Sequence, residues 1–95
     1  MSAYVIVDIQ VTNPKIYEDY KKLAPACVAA YDGEYLARGG QAEILEGEWV
    51  PNRLVILRFE SREQAKKWLN SPEYLPVKAL RHQAAHTNMV VVEGI

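Results

Sequence analysis

The stretch from Arg53 to Tyr74, RLVILRFESREQAKKWLNSPEY, constrains the fold more than any other part of the chain. Its first residues, Arg53 to Phe59, are almost continuously apolar and rich in branched side chains, which is typical of a central strand covered on both faces. Ser61 and Gln64 follow as a capping box, in which each side chain satisfies a free backbone amide at a helix start. The stretch therefore predicts a buried strand followed by an amphipathic helix, with a second helix start at Ser71-Pro72.

The chain before this stretch predicts one strand and one long helix. Tyr4 to Val11 alternates with a period of two, which is typical of a strand. Its fully apolar face carries Val5, Val7, Ile9 and Val11. Thr12-Asn13-Pro14 predicts the start of a helix, because a capping side chain precedes a proline that needs no N–H there. We expect this helix to end at Asp32-Gly33 and to kink or restart near residue 24, because Pro25 removes a backbone hydrogen bond.

The remaining segments complete a pattern of four strands. Glu34 to Arg38 predicts a short strand, and Glu43 to Trp49 is interpreted as its extension or as the arm of a hairpin. A last helix is predicted with Val77, Leu80 and Ala84 on its inward face. Thr87 to Val92 predicts the final strand, and we expect Val90 and Val92 to lie under the helices.

The order of elements is β-α-β-β-α-β, with an extra helical turn before the last strand. Short right-handed crossovers place four such strands in one antiparallel sheet with the helices on one face, the ferredoxin-like α+β arrangement. The 95 residues predict a single domain spanning 1–95, since a second hydrophobic core would not fit in that length.

The sheet face away from the helices is expected to be apolar as well. It is predicted to present Tyr4, Ile6, Leu54, Ile56, Met89 and Val91, with Asp8 and Arg58 among them. An exposed apolar patch of this kind usually marks an interaction site. We therefore predict a homodimer in which two copies pack through this face about a two-fold axis, with any pocket forming where they meet.

Charge and cysteine content exclude several classes of protein. Eleven basic and twelve acidic side chains leave a net charge of −1, which provides no attraction for nucleic acid or for an anionic membrane. RNA-recognition domains share this topology, but their glycine-aromatic signature is missing here. Cys27 has no partner for a disulfide, and the amino terminus lacks the features of a secretory signal or a membrane span. A cytoplasmic protein is expected.

Several motifs occur together in a characteristic order. They are YLARGG at 35–40, RLVILRFES at 53–61, NSPEY at 70–74, Arg81, and VVVEG at 90–94. In these motifs, and over essentially its whole length, the chain resembles the bacterial domain of unknown function 1330 family. The resemblance implies a dimeric α+β barrel, a broad group whose other branches include small cofactor-free monooxygenases and muconolactone isomerase. The family has no established activity, so the resemblance implies a fold without a reaction.

Seven residues form the predicted binding pocket: Asp8, Arg38, Gly39, Gly40, Arg58, Tyr74 and Arg81. Asp8 and Arg58 are interpreted as a diagonal ion pair, with a role for Asp8 as a catalytic base as the alternative. The sequence Arg38-Gly39-Gly40 predicts either an anion-binding loop or a β-bulge beside a surface arginine. Tyr74 is expected to pack with its hydroxyl in water or to bind a ligand, and Arg81 to form a structural salt bridge or to join that ligand site.

The histidines and the cysteine give little indication of a metal site or a catalytic site. His82 and His86 have the spacing of neighbours on a helix face, but two ligands are too few for a metal site, and none is expected. Cys27 falls on the buried stripe of the first helix, where a thiol usually packs as a small core residue. No cofactor and no catalytic residue is assigned.

Two functions remain open at this point. One is a homodimeric module that binds a small metabolite or another partner, without catalysis. The other is a cofactor-independent enzyme, similar to the small monooxygenases or isomerases, that acts on a small anionic or phenolic substrate. In that enzyme Asp8 or a histidine would be the base, and Arg38, Arg58 or Arg81 would stabilise an anion.

Overall fold

The computed structural model describes residues 1–95 and contains four strands and three helices. The strands are β1 (Ala3–Val11), β2 (Glu34–Arg38), β3 (Arg53–Phe59) and β4 (Ala85–Glu93), and the helices are α1 (Pro14–Ala30), α2 (Arg62–Leu69) and α3 (Leu75–Ala84). The strands form one sheet in the order β2-β3-β1-β4, with every neighbouring pair antiparallel. The predicted α+β architecture is confirmed. None of the three helices has the length and apolarity needed to cross a membrane.

The long helix α1 begins as predicted and then tolerates an internal proline. Asn13 accepts a hydrogen bond from the Ile16 amide at 3.2 Å, and Pro14 occupies the first helical position. The helix continues without interruption through Pro25, so the predicted restart near residue 24 is wrong. Pro25 leaves the Lys21 carbonyl without its usual helical donor. Arg38 takes that place, because its Nη2 donates to the Lys21 oxygen at 3.2 Å.

At the start of α2 only one of the two hydrogen bonds of the predicted capping box is formed. The Ser61 hydroxyl accepts from the Gln64 amide at 3.0 Å, as expected for the helix cap. The Gln64 side chain does not return to Ser61, and instead it donates to the carbonyl oxygen of Tyr31 at 3.0 Å. Since Tyr31 caps the end of α1, this hydrogen bond joins the start of one helix to the end of another.

The hydrophobic core lies between the helices and one face of the sheet. β1 contributes Val5, Val7 and Ile9, and β3 contributes Val55, Leu57 and Phe59, all at most 8% exposed, as the alternation predicted. A row of aromatic rings crosses this core. Its successive ring centroids are 5.2 Å apart for Phe59–Trp68, 4.6 Å for Trp68–Tyr74 and 6.4 Å for Tyr74–Tyr20.

Strand β4 presents the opposite side chains to the helices from those predicted. Val5 pairs with Val91 and Val7 with Met89, and directly paired residues in a sheet share a face. Val90 and Val92 are therefore turned away from the core, at 60% and 50% exposure, and the prediction that they lie under the helices is wrong. Met89 and Val91 pack against the core instead.

The opposite side of the sheet, which we call the helix-free face, carries a mixed apolar surface. Its apolar members are Tyr4, Ile6, Leu54, Ile56, Val90 and Val92. Val90 and Val92 are the most exposed of these side chains. The face predicted to be apolar is therefore apolar, although β4 supplies different residues to it than expected.

The segment 39–52 contains no strand, so the predicted strand or hairpin arm at Glu43 to Trp49 is wrong. Gly47 has a φ of 90°, in the left-handed region that interrupts an extended strand. The end of this segment returns to the sheet, where the Trp49 indole donates to Asp8 of β1 at 3.0 Å. Trp49 therefore has its hydrogen-bond partner within its own chain.

Candidate functional site

A cavity of about 30 Å³, which we call the first cavity, lies among residues of α1, α2, α3 and the core side of the sheet. By the usual measure this space holds one or two water-sized groups. Its walls are mainly apolar or aromatic, with a small number of polar groups. They consist of Val7, Ile9, Tyr17, Tyr20, Lys21, Ala24, Tyr35, Arg38, Arg53, Val55, Leu57, Trp68, Arg81 and Met89.

The charged groups in this wall all have the same sign. Lys21, Arg38, Arg53 and Arg81 are cationic, and no aspartate or glutamate lines the cavity. Lys21 forms an ion pair with Glu18 at 2.9 Å, but none of the three arginines has a carboxylate partner. Clustered cations between apolar walls create a positive potential, which attracts an anion.

Arg81 is the most deeply buried of these cations, with 3% of its surface exposed. Its Nη1 donates to the Thr87 hydroxyl, and its Nε is buried without a hydrogen-bond partner. The predicted structural salt bridge of Arg81 is therefore wrong. Keeping a guanidinium buried without a counter-ion costs free energy, because neither solvent nor a carboxylate stabilises its charge.

Two phenols lie close to this arginine. The hydroxyl oxygens of Tyr20 and Tyr74 are 2.6 Å apart, and either can donate to the other. Tyr74 is fully buried in the core, and its hydroxyl contacts Tyr20, so the expectation that this hydroxyl lies in water is wrong. Burial raises the pKa of Tyr20 well above its usual value of 10.0, Tyr74 raises it further, and the Arg81 charge offsets part of this effect. Tyr20 therefore keeps its proton at neutral pH and, when Tyr74 donates to it, can donate to a ligand.

Arg38 and Arg53 occupy the side of the cavity next to α1 and β3. Arg38 stacks at 4.8 Å over the Tyr35 ring while it donates to the Lys21 carbonyl, and Arg53 Nε donates to the Tyr17 hydroxyl at 3.1 Å. Both guanidiniums are therefore held in place by groups of the cavity wall.

The two glycines after Arg38 differ in their roles. Gly39 has a φ of 70°, and a Cβ on it would lie 2.2 Å from Arg53 Nη1, so a side chain there would displace that arginine. Nothing lies within 4 Å of a Cβ on Gly40. Gly39 thus supports the position of Arg53, and the structure gives Gly40 no comparable role.

Asp8 and Arg58 do not line this cavity, because both belong to the helix-free face. Asp8 pairs with Leu54 and Arg58 with Tyr4, so the two charges are separated along the strands and the predicted ion pair between them is wrong. Arg58 is bound to Glu34 at 2.8 Å. The predicted pocket residues are therefore divided: Arg38 and Arg81 line the first cavity, Tyr74 and Gly39 contact groups in its wall, and Asp8 and Arg58 do not approach it.

Four residues line the cavity that were not predicted as members of the site: Tyr17, Tyr20, Tyr35 and Arg53. A signal for Arg53 was present, because it has the same parity as Val55 and Leu57 on β3 and must therefore share their buried face. Tyr17 and Tyr20 belong to the apolar stripe of α1, whose spacing predicts packing against the core and not a site. Their hydroxyls distinguish them from the aliphatic members of that stripe.

The remaining reactive side chains do not form a site. His82 lies on α3 and His86 on β4, and the structure has no group of three or more histidine, cysteine or carboxylate side chains placed to hold a metal ion. Cys27 is buried, and its thiol donates to the Glu73 carbonyl at 3.6 Å. Burial raises the pKa of Cys27, and nearby Glu73 adds to this effect, so the thiol is a core residue as expected.

The Asp8 carboxylate instead holds the end of the segment 39–52. It accepts from the Asn52 amide at 2.8 Å and from the Trp49 indole at 3.0 Å. Burial raises the pKa of Asp8, but these hydrogen bonds lower it by more, so that it lies below its ordinary value of 3.8.

We expect the substitution Asp8→Asn to lower the free energy of unfolding at pH 7 by about 1–3 kcal/mol, because charge-assisted hydrogen bonds are lost. A carboxylate with a lowered pKa stabilises the fold above its unfolded pKa, and this contribution is lost as pH falls through the folded pKa. The difference from the natural chain should thus stay constant between pH 7 and 5 and shrink below pH 3.8. Urea unfolding across this range measures it, and a difference that shrinks already between pH 7 and 5 would contradict the assignment.

The sequence of this chain matches a known family, and its structure matches several solved structures. The model of the family described as "Domain of unknown function (DUF1330)" matches residues 2–95. No curated protein matches the chain. Solved structures do, at sequence identities that show the fold alone.

A protein of unknown function from Rhodopseudomonas palustris is 11% identical with a TM-score of 0.81, and the match covers 99% of this chain and 82% of that one. SnoaB, a cofactor-independent oxygenase from Streptomyces nogalater, is 11% identical with a TM-score of 0.69, over 99% and 93% of the two chains. A protein of unknown function from Bacteroides fragilis, described as dimeric and ferredoxin-like, is 14% identical with a TM-score of 0.67, over 98% and 96%.

Proposed function

The chain belongs to the domain of unknown function 1330 family, and on that premise we propose that it is a binding protein for a small carboxylate-bearing metabolite, whose carboxylate group is held in the first cavity. The observation that carries this proposal is Arg81, a buried guanidinium that lines a cavity without any carboxylate in its wall. A buried polar group without a partner needs an explanation, and a bound anion supplies one. The carboxylate of the ligand takes the place of the missing counter-ion.

The donors in the first cavity match the acceptor capacity of a carboxylate. Arg81 Nε is unpartnered, and Tyr20 has a proton to donate when Tyr74 donates to it. An ionised carboxylate has about four acceptor positions on its two oxygens and no donor, so it suits a wall that consists of donors. Arg38 and Arg53 add positive charge at the side of the cavity formed by α1 and β3. A neutral ligand of the same shape would leave the buried charge of Arg81 without a counter-ion.

A thermal-shift comparison of benzoate with benzamide tests this proposal. A ligand at ten times its Kd stabilises the native state by about 1.4 kcal/mol, which corresponds to about 6–11 °C for a domain of this size. We expect such a shift with benzoate, or with another member of a panel of small carboxylates at 10 mM, and a much smaller one with the matched amide. The Arg38→Ala variant should show a reduced shift, and Arg62→Ala, which loses only an exposed pair with Glu93, should respond like the natural chain.

The proposal is wrong if no carboxylate in the panel raises the melting temperature. It is also wrong if the amides raise it as much as the acids. An equal response of the Arg38→Ala and Arg62→Ala variants would remove Arg38 from the site while leaving Arg81 as its anion-binding group.

A second candidate is a cofactor-independent reaction on the bound molecule. The observation that favours it is the convergence of a phenol and a guanidinium, Tyr20 and Arg81, on one apolar cavity. Donors arranged in this way stabilise negative charge that develops on a substrate oxygen. Prolonged incubation of a bound carboxylate with the protein in air, followed by mass spectrometry, separates the two functions. Recovery of the unchanged ligand supports binding alone, whereas a product that is absent with Tyr20→Phe supports catalysis.

The helix-free face supports a homodimer as the assembly in which this site operates. Val90 and Val92 are 60% and 50% exposed there, beside the apolar residues Ile6 and Ile56. An apolar surface of this kind on a folded chain is typical of an interface. The dimeric state given for the Bacteroides fragilis protein is consistent with a second copy on this face.

We expect the natural chain to sediment as a dimer at micromolar concentration and the Val90→Lys variant to sediment as a monomer, because a lysine there would bury its charge in the interface. The matched control is Leu23→Lys, at a half-exposed position on α1 in the helical layer. A monomeric natural chain contradicts the prediction. Dissociation by Leu23→Lys and not by Val90→Lys would place the interface on the helices.

A further inference from the structure

The first cavity has an apolar neighbour that the proposed binding of a carboxylate does not use. This second cavity has a volume of about 270 Å³ and lies between α2 and the strands β1 and β4. Its wall contains Val5, Ala65, Leu69 and Val91 as well as Trp68 and Met89, with Lys66 as the single charged residue. Val90, whose side chain belongs to the helix-free face, also borders this cavity at the edge strand β4. An engineered apolar cavity of about 150 Å³ is enough to bind benzene, so the second cavity has room for a ring or a chain of several carbons.

The two cavities are adjacent along β1. Val7 lies in the wall of the first and Val5 in the wall of the second, and successive residues on one strand face are about 7 Å apart. Trp68 and Met89 line both cavities, so these two side chains separate them. Met89 has an unbranched, flexible side chain, so it changes its rotamer more easily than Trp68.

The partition also contains an unsatisfied donor. Trp68 is 2% exposed, and its Nε1 is buried without a hydrogen-bond partner. Together with Arg81 Nε, it is one of two buried side-chain donors without a partner, and both residues line the first cavity. Polar groups at one end and an apolar space at the other are the features expected of a site for an amphipathic molecule.

We infer that the ligand is an amphipathic carboxylate, a medium-chain or aryl-alkyl acid whose carboxylate lies at Arg81 in the first cavity and whose apolar body passes Trp68 and Met89 into the second. This inference rests on the proposed function, because it uses the same anion position. The first cavity alone is too small for the apolar part, and the only charged residue at the second, Lys66, is exposed to solvent, whereas Arg81 is buried. One molecule that spans both explains the two volumes and the thin partition between them.

Isothermal titration of the protein with butanoate, hexanoate and octanoate, and with hexanol and octanol, tests the inference. Each methylene that enters an apolar cavity should raise the affinity about fourfold. Octanoate is therefore expected to bind at least about 50-fold more tightly than butanoate, allowing for incomplete burial of four methylenes, and octanol much more weakly than octanoate.

Two variants localise the apolar body. Leu69→Trp and Val91→Phe each fill part of the second cavity from a different side, and both are expected to bring the ratio of octanoate to butanoate affinity close to one. Two positions are used so that a folding failure of one leaves the other to decide. Leu75→Trp, at a half-exposed position of α3 outside both cavities, serves as the control and should keep the ratio of the natural chain.

The outcomes separate this inference from the proposed function. Affinity that is independent of chain length overturns the inference, and leaves the proposed function intact if the acids still require Arg81. A ratio that survives both Leu69→Trp and Val91→Phe also overturns it, because the apolar body then lies elsewhere. Octanol that binds as tightly as octanoate overturns the proposed function and the inference together, since the anion then contributes nothing.

Discussion

Replacement of Arg81 by methionine is expected to abolish carboxylate binding without weakening the fold. Removing one partner of a buried charge pair costs about 2–4 kcal/mol of binding free energy, which is about 30- to 1,000-fold in Kd. In the ligand-free protein, however, the guanidinium has only the Thr87 hydroxyl as a partner and its Nε has none. An apolar side chain of similar length avoids that desolvation, so the free energy of unfolding should stay the same or rise by up to about 2 kcal/mol.

Titration with benzoate and urea unfolding of the same preparation measure both effects. The matched control is Arg58→Met, in which an exposed ion pair with Glu34 is lost on the helix-free face. That change should cost at most about 1 kcal/mol and leave benzoate binding unaltered. If Arg81→Met instead destabilised the protein by several kcal/mol and still bound benzoate as before, Arg81 would be a structural residue and the site would lose its central cation.

The contrast between β3 and β4 shows how far the sequence pattern predicts the fold. On β3 the alternation alone predicts which side chains face the core. Val55, Leu57 and Phe59 form a purely apolar set, whereas the residues between them include the charged Arg58. On β4 both parities are apolar near residues 89–92, and a one-residue shift of register exchanges the two faces. Only the pairing of Val5 with Val91 decides which side chains lie under the helices. That pairing depends on the path of the chain through α3, which no local pattern specifies.

The candidate site was predictable only in part, because its residues meet only when distant parts of the chain pack together. Arg38 was interpreted as part of an anion-binding loop or of a β-bulge, and Arg81 as part of a salt bridge or of a ligand site, and both line the first cavity. Their placement at a dimer cleft was a separate expectation, derived from the apolar helix-free face. The structure instead brings them together with Tyr20 inside the chain, because α1 and α3 pack side by side on the sheet. An unpaired donor such as Arg81 Nε is a property of three-dimensional packing, since any carboxylate in the sequence is a partner for it until the fold is known.

The segment 39–52 illustrates a different limit. Its composition allowed a strand, but the segment pairs with neither of the two edge strands, β2 and β4. The segment instead returns to Asp8, a residue interpreted from the sequence as part of an ion pair. The partners of Asp8 are a backbone amide and an indole, which a search for opposite charges in the sequence does not reveal.

The substitution Trp68→Ala is expected to have the largest effect on stability. Trp68 contacts Phe59 and Tyr74 through its ring, and it is 2% exposed. Removal of a buried tryptophan side chain costs about 3–5 kcal/mol, because apolar transfer and the cavity left behind both oppose folding. Since domains typically have a total stability of about 5–15 kcal/mol, this loss should lower the urea midpoint substantially and, in a weakly stable natural chain, populate the unfolded state in buffer.

Trp68→Phe separates the packing role of this residue from its unpaired donor. Phenylalanine keeps an aromatic ring against Phe59 and Tyr74 but lacks the buried N–H that has no partner in the ligand-free protein. We therefore expect this variant to lose less than half of what Trp68→Ala loses, because the smaller cavity is offset in part by the absent desolvation cost. Urea unfolding of the two variants gives the comparison. Equal losses would mean that the indole forms a hydrogen bond in solution, which would remove the unsatisfied donor from the partition between the two cavities.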